Sequence, residues 1–152
     1  MNFRRFSWLP ALCLITGTAV AQKPTGDDWT TYGGSQWNQR YSGLNEINAG
    51  NVGRLVPRGM LQTGIAKVGS FENTPIIVGN RAYVTTPFNT AIAYDLDTGK
   101  QLWRYEHKPS IASPIYCCGP NNRGVAISEG TVYMATLDAR LLALDAATGK
   151  VK

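Results

Sequence analysis

Hydrophobic residues occur along this chain in short runs, separated by polar residues and glycines. Residues 81–86 and 91–94 each have the length and the β-branched, aromatic and small apolar composition of a strand. Residues 131–136 and 141–144 have the same character fifty positions later. Turn signals recur about every dozen residues and no long helical period is present. The pattern predicts an all-β protein.

An internal repeat underlies this pattern. Without gaps, residues 82–86 align on residues 132–136, and residues 93–100 align on residues 143–150. Each unit is predicted to be a strand, a turn, a second strand and a tight Asp-x-x-Thr-Gly turn. A repeat of about fifty residues built from short strands is typical of a β-propeller blade.

The tight turn has a physical basis in its residue types. Asp95 and Thr98 supply side-chain oxygens for backbone amides, and Gly99 supplies a position with positive φ. Trp103 follows and offers a large flat surface for packing on a neighbouring blade. One such turn would be no more than a common hairpin connection. Two copies in register with their preceding strands favour the blade.

The first residues resemble an export signal. Arg4 and Arg5 are followed by an apolar run at residues 8–15 and by small residues at positions 19–21. We therefore predict a signal peptide at residues 1–21, a mature chain of residues 22–152 and a periplasmic location. The run is too short for a transmembrane helix.

Cleavage at that point would remove Cys13 and leave Cys117 and Cys118 as the cysteines of the mature chain. An oxidising compartment favours a disulfide between them. Such a bridge would strain the backbone, because neighbouring Cα atoms lie about 3.8 Å apart and disulfides prefer roughly 4.4–6.8 Å. Two free thiols, or half of a metal site, are the alternatives. The single histidine, His107, is predicted to be a surface or turn residue and argues against a zinc site.

The charge excludes one class of partner. The formal net charge is +5, of which the predicted leader contributes Arg4 and Arg5. The other basic residues are scattered rather than clustered, so nucleic acid is not indicated as a partner.

The repeat also predicts a site. Carried backward, the alignment places Glu72 opposite Asn122, just before the first strand of each blade and near the propeller axis. Glu72, the Cys117–Cys118 pair and Arg123 would then face one axial cavity suited to a flat anionic ligand, whose carboxylate an arginine fork would bind. The alternative is that Glu72 caps a turn and Arg123 pairs with a neighbouring carboxylate.

These residues also support a family resemblance. The motif Ala93-x-Asp95-x-x-Thr98-Gly99-x-x-x-Trp103 is similar to the tryptophan-docking motif of the eight-bladed quinoprotein alcohol dehydrogenases, which use pyrroloquinoline quinone (PQQ). The combination of Glu72 with Cys117–Cys118 and Arg123 is more specific to that family than the docking motif. Further similar stretches are residues 29–34, 38–42, 47–52, 71–75 and 122–124.

The resemblance implies a role for each candidate residue. Glu72 would hydrogen-bond the edge of the quinone, Cys117 and Cys118 would form a vicinal disulfide flat against the ring, and Arg123 would contact a cofactor carboxylate. It also implies a calcium or lanthanide ion that acts as Lewis acid, an aspartate base, a small primary alcohol as substrate and a cytochrome c as electron acceptor. A homo-oligomer of the full-length form is compatible with it.

The family pattern extends beyond this chain, since its metal ligands and catalytic aspartate lie downstream. We therefore expect no catalytic or metal-ligating residue here, but an N-terminal fragment with about two four-stranded blades plus an N-terminal segment. Such a fragment is expected to be inactive alone and to expose open strand edges. The alternative function is a non-catalytic periplasmic propeller of the outer-membrane assembly type, which has no need for Cys117–Cys118 beside Arg123.

Overall fold

A computed structural model describes residues 28–65, 71–110 and 119–152. The predicted signal peptide and both cysteines of the Cys117–Cys118 pair lie outside the described residues, so the predictions for them stay predictions. Within the described part, no helix is long and apolar enough to cross a membrane.

The first sheet contains four antiparallel strands in the order β1-β2-β3-β4. Sequential antiparallel neighbours need only short turns, which the glycines and asparagines between the strands provide. The strands are β1 (Ile76–Val78), β2 (Arg81–Thr86), β3 (Thr90–Asp95) and β4 (Gln101–Glu106).

The second sheet repeats the first at a spacing of fifty residues. Its strands, in the order β5-β6-β7, are β5 (Ala126–Ser128), β6 (Thr131–Ala135) and β7 (Leu141–Asp145). Val151 forms an isolated bridge with Leu144, as Gln101 at the start of β4 pairs with Tyr94. The prediction of an all-β chain built from a repeated antiparallel unit is confirmed; a single 3-10 turn at Val52–Arg54 is the one helical element in the described part.

The core lies between the two sheets. Trp103 contributes its indole from the middle of β4. It packs beside Tyr83 at a ring-centroid distance of 6.0 Å. Apolar side chains from both sheets complete this core: Ile76, Ala91 and Ala93 from the first, and Val132, Met134, Leu144 and Ala146 from the second and the turn after it.

Trp103 is docked on the second sheet through the turn that follows β7. Its indole Nε1 donates to the carbonyl of Ala146 at 3.0 Å. The same carbonyl accepts from the Tyr83 hydroxyl at 3.2 Å. Gly149 lies directly under the ring, because a Cβ at this position would come within 2.6 Å of an indole carbon. The predicted packing of Trp103 on the neighbouring unit is confirmed.

The docking turn is held by an aspartate in both copies. Asp95 Oδ1 accepts from the amide and the hydroxyl of Thr98, at 2.8 and 2.7 Å. Asp145 does the same for Thr148, at 2.9 and 2.8 Å. These hydrogen bonds, above all that from the threonine hydroxyl, lower the pKa of each carboxyl. The predicted chemistry of the Asp-x-x-Thr-Gly turn is therefore present twice.

The N-terminal segment covers the other face of the first sheet. The Tyr94 hydroxyl donates to the carbonyl of Gln62 at 2.9 Å, and the Arg104 guanidinium donates to the carbonyl of Thr63 at 2.7 Å. Further upstream, Trp29 pairs its backbone with Ile77 at 2.9 Å in both directions. The first sheet is thus packed on both faces, as the burial of nearly all of β3 requires.

Gly149→Ala tests the docking of Trp103. We expect the substitution to lower the free energy of unfolding by about 2–5 kcal/mol, because it adds a clash with the indole to the cost of positive φ. The measurement is urea unfolding of the whole chain followed by far-ultraviolet circular dichroism.

Gly99→Ala is the matched control, since Gly99 has φ 66° in the equivalent turn and Gly149 has φ 71°. Among the described residues, a Cβ at Gly99 would meet only Leu61, at 4.0 Å. That variant should therefore lose only about 1–2 kcal/mol, the cost of positive φ. Equal losses at the two positions would show that the contact with Trp103 contributes nothing.

Candidate functional site

A cavity of about 450 Å³ opens where the two sheets meet, beside the segment that leads into β5. Polar and apolar side chains share its lining, whereas the core around Trp103 is apolar. Its walls come from both sheets and include Asn89, Asn121, Asn122, Arg123, Thr136 and Leu137.

Glu72 and Arg123 meet at the rim of this cavity. Arg123 Nη2 lies 3.1 Å from Glu72 Oε2, and Asn121 donates to Glu72 Oε1 at 2.8 Å. The Arg123 side chain is 78% exposed and that of Glu72 is 36% exposed. Two of the residues predicted for the site, which precede the first strands of the two sheets, are therefore adjacent. The sequence left two alternatives for Arg123, convergence with Glu72 on a cavity or pairing with a neighbouring carboxylate. Both occur together, because the carboxylate that pairs with Arg123 is that of Glu72.

The register predicted for the segment before each blade was wrong by one residue. Asn73 donates to the carbonyl of Thr85 at 2.6 Å, and Asn122 donates to the carbonyl of Ala135, fifty residues after Thr85, at 3.0 Å. By its contacts, Asn122 is the counterpart of Asn73, where the ungapped alignment had paired it with Glu72. Gly124, at φ 115°, absorbs the additional residue of the second copy.

Asn122 also ties the two sheets together across the cavity wall. It is buried, and its amide nitrogen donates to Asn89 Oδ1 at 3.0 Å. Asn89 Oδ1 also accepts from the amide of Leu137 at 3.3 Å. Asn89 holds this position with φ 60°, a conformation that asparagine tolerates better than most residues. The wall is thus a polar seam in which each amide has its partner.

Asp138 extends this seam towards β4. Its carboxylate accepts from the Thr136 hydroxyl at 2.6 Å, from the Ser110 amide at 2.8 Å and from His107 Nε2 at 2.8 Å. The side chain of Asp138 is fully buried and that of His107 is 7% exposed. His107, predicted to be a surface or turn residue, lies in the connection after β4 but has a buried side chain, because a hydrogen bond between Nε2 and Asp138 compensates for its burial.

The hydrogen bonds to Asp138 hold the pKa of its carboxyl well below the usual range, the one from Thr136 Oγ1 most strongly. A carboxyl whose folded pKa lies below its unfolded value stabilises the fold above the unfolded pKa, which is about 3.9 for aspartate. This contribution is lost as the pH falls from about 4 towards the folded pKa.

Cys117 and Cys118 lie outside the described residues, and so their bridge and their contact with a ligand stay predictions. Among the described residues, no group of three or more His, Cys, Asp or Glu side chains is placed to hold a metal ion.

One known family matches this chain. Its sequence profile, described as the beta-propeller domain of glucose, ethanol and alcohol dehydrogenases and labelled PQQ, matches residues 29–152. The chain belongs to this family of quinoprotein dehydrogenase propellers. The predicted fold class, part of an eight-bladed propeller, follows from that membership.

Individual relatives agree. The chain is 44% identical over 118 residues to a lanthanide-dependent methanol dehydrogenase of Methylorubrum extorquens, covering 75% of this chain and 19% of that protein. It is 37% identical over 140 residues to a 1-butanol dehydrogenase (cytochrome c) of Thauera butanivorans, covering 91% and 20%. Among solved structures, the quinohemoprotein alcohol dehydrogenase of Comamonas testosteroni superposes with a TM-score of 0.66 and 38% identity, covering 82% of this chain and 18% of that one.

The chain thus spans about a fifth of the length of the curated quinoprotein relatives it matches.

Sequence reasoning missed most of the seam behind Glu72 and Arg123. The contacts of Asn122 could have been predicted by shifting the repeat alignment by one residue before the first strand, since Asn73-Thr74 then aligns with Asn122-Arg123. Asp138 has no such signal, because the equivalent position of the first repeat is Phe88.

Asn122→Asp tests the polar seam. The carboxylate would face two oxygens, those of Asn89 and Ala135, to which the amide nitrogen now donates. We expect a loss of about 3–5 kcal/mol in the free energy of unfolding, the cost of a buried charge without a partner. Urea unfolding at pH 7 measures it.

Asn80→Asp provides the matched control, since Asn80 also donates to an oxygen, that of Asp95 at 3.2 Å, but on the surface. Its loss should stay within about 1 kcal/mol, because water screens the new charge. A loss at Asn122 as small as the loss at Asn80 would contradict the role given to the seam.

Proposed function

We propose that this chain forms the N-terminal, quinone-holding part of a PQQ-dependent alcohol dehydrogenase that oxidises primary alcohols to aldehydes and passes the electrons to a cytochrome c. The observation that carries the proposal is the meeting of Glu72 and Arg123, which precede the first strands of the two sheets, at the rim of one cavity. Family membership and the names of the relatives, which specify methanol, 1-butanol and cytochrome c, support it.

The residues at the cavity fit a flat anionic cofactor. Arg123 is mostly exposed, and one terminal nitrogen of its guanidinium contacts Glu72. The other N–H groups of the guanidinium remain for a ligand carboxylate. Glu72 has both oxygens engaged, by Asn121 and by Arg123, so its orientation is fixed before a ligand arrives. Cys117 and Cys118 are proposed to form a vicinal disulfide against the ring.

When bound, PQQ would accept two electrons from the alcohol, and a calcium or lanthanide ion would act as Lewis acid. The part of this chain is to bind and to orient. Arg123 neutralises and clamps a cofactor carboxylate, while Glu72 offers an acceptor to the edge of the ring and holds Arg123 in place. The polar seam behind them holds the two sheets in register. Metal ligands and the catalytic base are proposed to lie in the remainder of the full-length enzyme.

The compartment is proposed to be the periplasm, where an oxidised cysteine pair is stable. This rests on the signal-like residues 1–21 and on the resemblance to periplasmic enzymes.

Arg123→Lys tests the cofactor contact. We expect the dissociation constant for PQQ, measured by quenching of tryptophan fluorescence in the presence of Ca²⁺ or La³⁺, to rise by about ten-fold, because a point charge cannot replace a bidentate fork. Arg58→Lys is the matched control, since Arg58 is 76% exposed and also lies near a carboxylate, that of Asp97 at 3.6 Å, but away from this cavity. Equal affinities in all three proteins, or no saturable binding by the wild type, would refute the assignment.

The purified 152-residue chain should not oxidise alcohol. With PQQ, Ca²⁺ or La³⁺, ethanol and an artificial electron acceptor, we expect no rate above that of the same mixture without protein, because the chain spans about a fifth of the enzymes it matches. A full-length quinoprotein alcohol dehydrogenase serves as the positive control. Quinone- and metal-dependent dye reduction by the chain would overturn this part of the proposal.

A further inference from the structure

Four hydrogen-bond donors and the Arg140 guanidinium surround the buried carboxylate of Asp138, all from the connections that follow β4 and β6. Oδ1 accepts from Thr136 Oγ1 at 2.6 Å and from His107 Nε2 at 2.8 Å. Oδ2 accepts from the amide and the hydroxyl of Ser110, at 2.8 and 3.0 Å, and lies 3.6 Å from Arg140 Nε. The carboxylate is thus a single acceptor for groups that lie about thirty residues apart in the chain.

The neighbours of Asp138 favour an ionised carboxylate over a neutral polar group. A backbone amide can only donate, and so can the arginine. The ionised form is favoured, as the lowered pKa of Asp138 agrees. An asparagine could keep its oxygen toward the Ser110 amide and turn its NH2 group to Thr136 Oγ1 and His107 Nε2, which can also accept, but it would lose the charge assistance of these hydrogen bonds.

The position of this cluster links it to the cavity. Thr136 and Leu137, which immediately precede Asp138, form one wall. His107 and Ser110 belong to the connection that leaves β4, and Ser110 is the last described residue before the segment that carries Cys117 and Cys118. Asp138 therefore binds the cavity wall of the second sheet to the stem of the connection from the first sheet.

We propose that Asp138 is a positioning residue of the quinone site: its buried carboxylate fixes the Thr136–Leu137 wall against the His107–Ser110 stem and so sets the width of the cavity. It touches no cofactor and acts through these neighbours. The proposal rests on the function proposed above, in that the ligand of the cavity is taken to be PQQ.

The test compares Asp138→Asn with Asp145→Asn in the full chain. Asp145 is the matched control, because its carboxylate also accepts three hydrogen bonds, from Ala147 and Thr148, but in the outer docking turn. Hydrogen exchange by mass spectrometry is read at residues 107–110 and 136–140 and normalised to β2. PQQ affinity is measured by fluorescence quenching in the same variants.

For Asp138→Asn we expect normalised exchange at both segments to accelerate about ten-fold, the equivalent of one charge-assisted hydrogen bond, and PQQ to bind several-fold more weakly. The loss of a negative charge would by itself favour an anionic ligand, so weaker binding isolates the geometric effect. Asp145→Asn should leave both segments unchanged relative to β2. His107→Gln, which retains an N–H donor, should exchange more slowly at these segments than His107→Leu.

Unchanged normalised exchange in Asp138→Asn, or the same acceleration in Asp145→Asn, would overturn the inference. Wild-type PQQ affinity in a variant whose wall exchanges faster would also overturn it. Failure of the wild type to bind PQQ would refute the proposed function instead, and the exchange data would still decide whether Asp138 fixes the wall. If Asp138→Asn does not fold, Ser110→Ala, which removes one donor, carries the same comparison.

Discussion

The structure depends on one contact, the docking of Trp103 on the turn after β7. A single carbonyl, that of Ala146, receives the indole N–H and the Tyr83 hydroxyl, and Gly149 lets the ring lie directly on the backbone. Burial of a tryptophan with its polar edge satisfied is worth about 3–5 kcal/mol when lost to alanine. This contact sets the separation and the angle of the two sheets, on which the geometry of the cavity depends.

The candidate site depends on this fixed separation, but it is held by hydrogen bonds rather than by apolar packing. Apolar packing around Trp103 does not require a particular orientation of the side chains. The hydrogen bonds of Asn89, Asn122 and Asp138 do, because a misplaced buried amide or carboxylate loses its partners. The core therefore supplies the stability and the seam supplies the register. Glu72 and Arg123, which come from different sheets, lie 3.1 Å apart because both conditions hold.

The sequence sufficed for the parts of the molecule that repeat. The same local sequence pattern occurs twice, fifty residues apart. It predicts the strands β2, β3, β6 and β7, the Asp-x-x-Thr-Gly turns and the role of Trp103. The convergence of Glu72 with Arg123 was also predictable, since blades place equivalent segments side by side. The burial of His107 was not, because its partner Asp138 lies about thirty residues away and has no counterpart in the first repeat.

The two repeats differ at the cavity and agree in the docking turns. Contacts that both copies share, such as the threonine hydroxyl on Asp95 and on Asp145, maintain the scaffold. The contacts at the cavity break the repeat: Gly124 adds a residue, and Asp138 stands where the first copy has Phe88. A buried carboxylate costs several kcal/mol unless it is fully paired, so it persists only where several donors converge on it. The departures from the repeat therefore coincide with the candidate site, whereas the shared contacts lie in the scaffold.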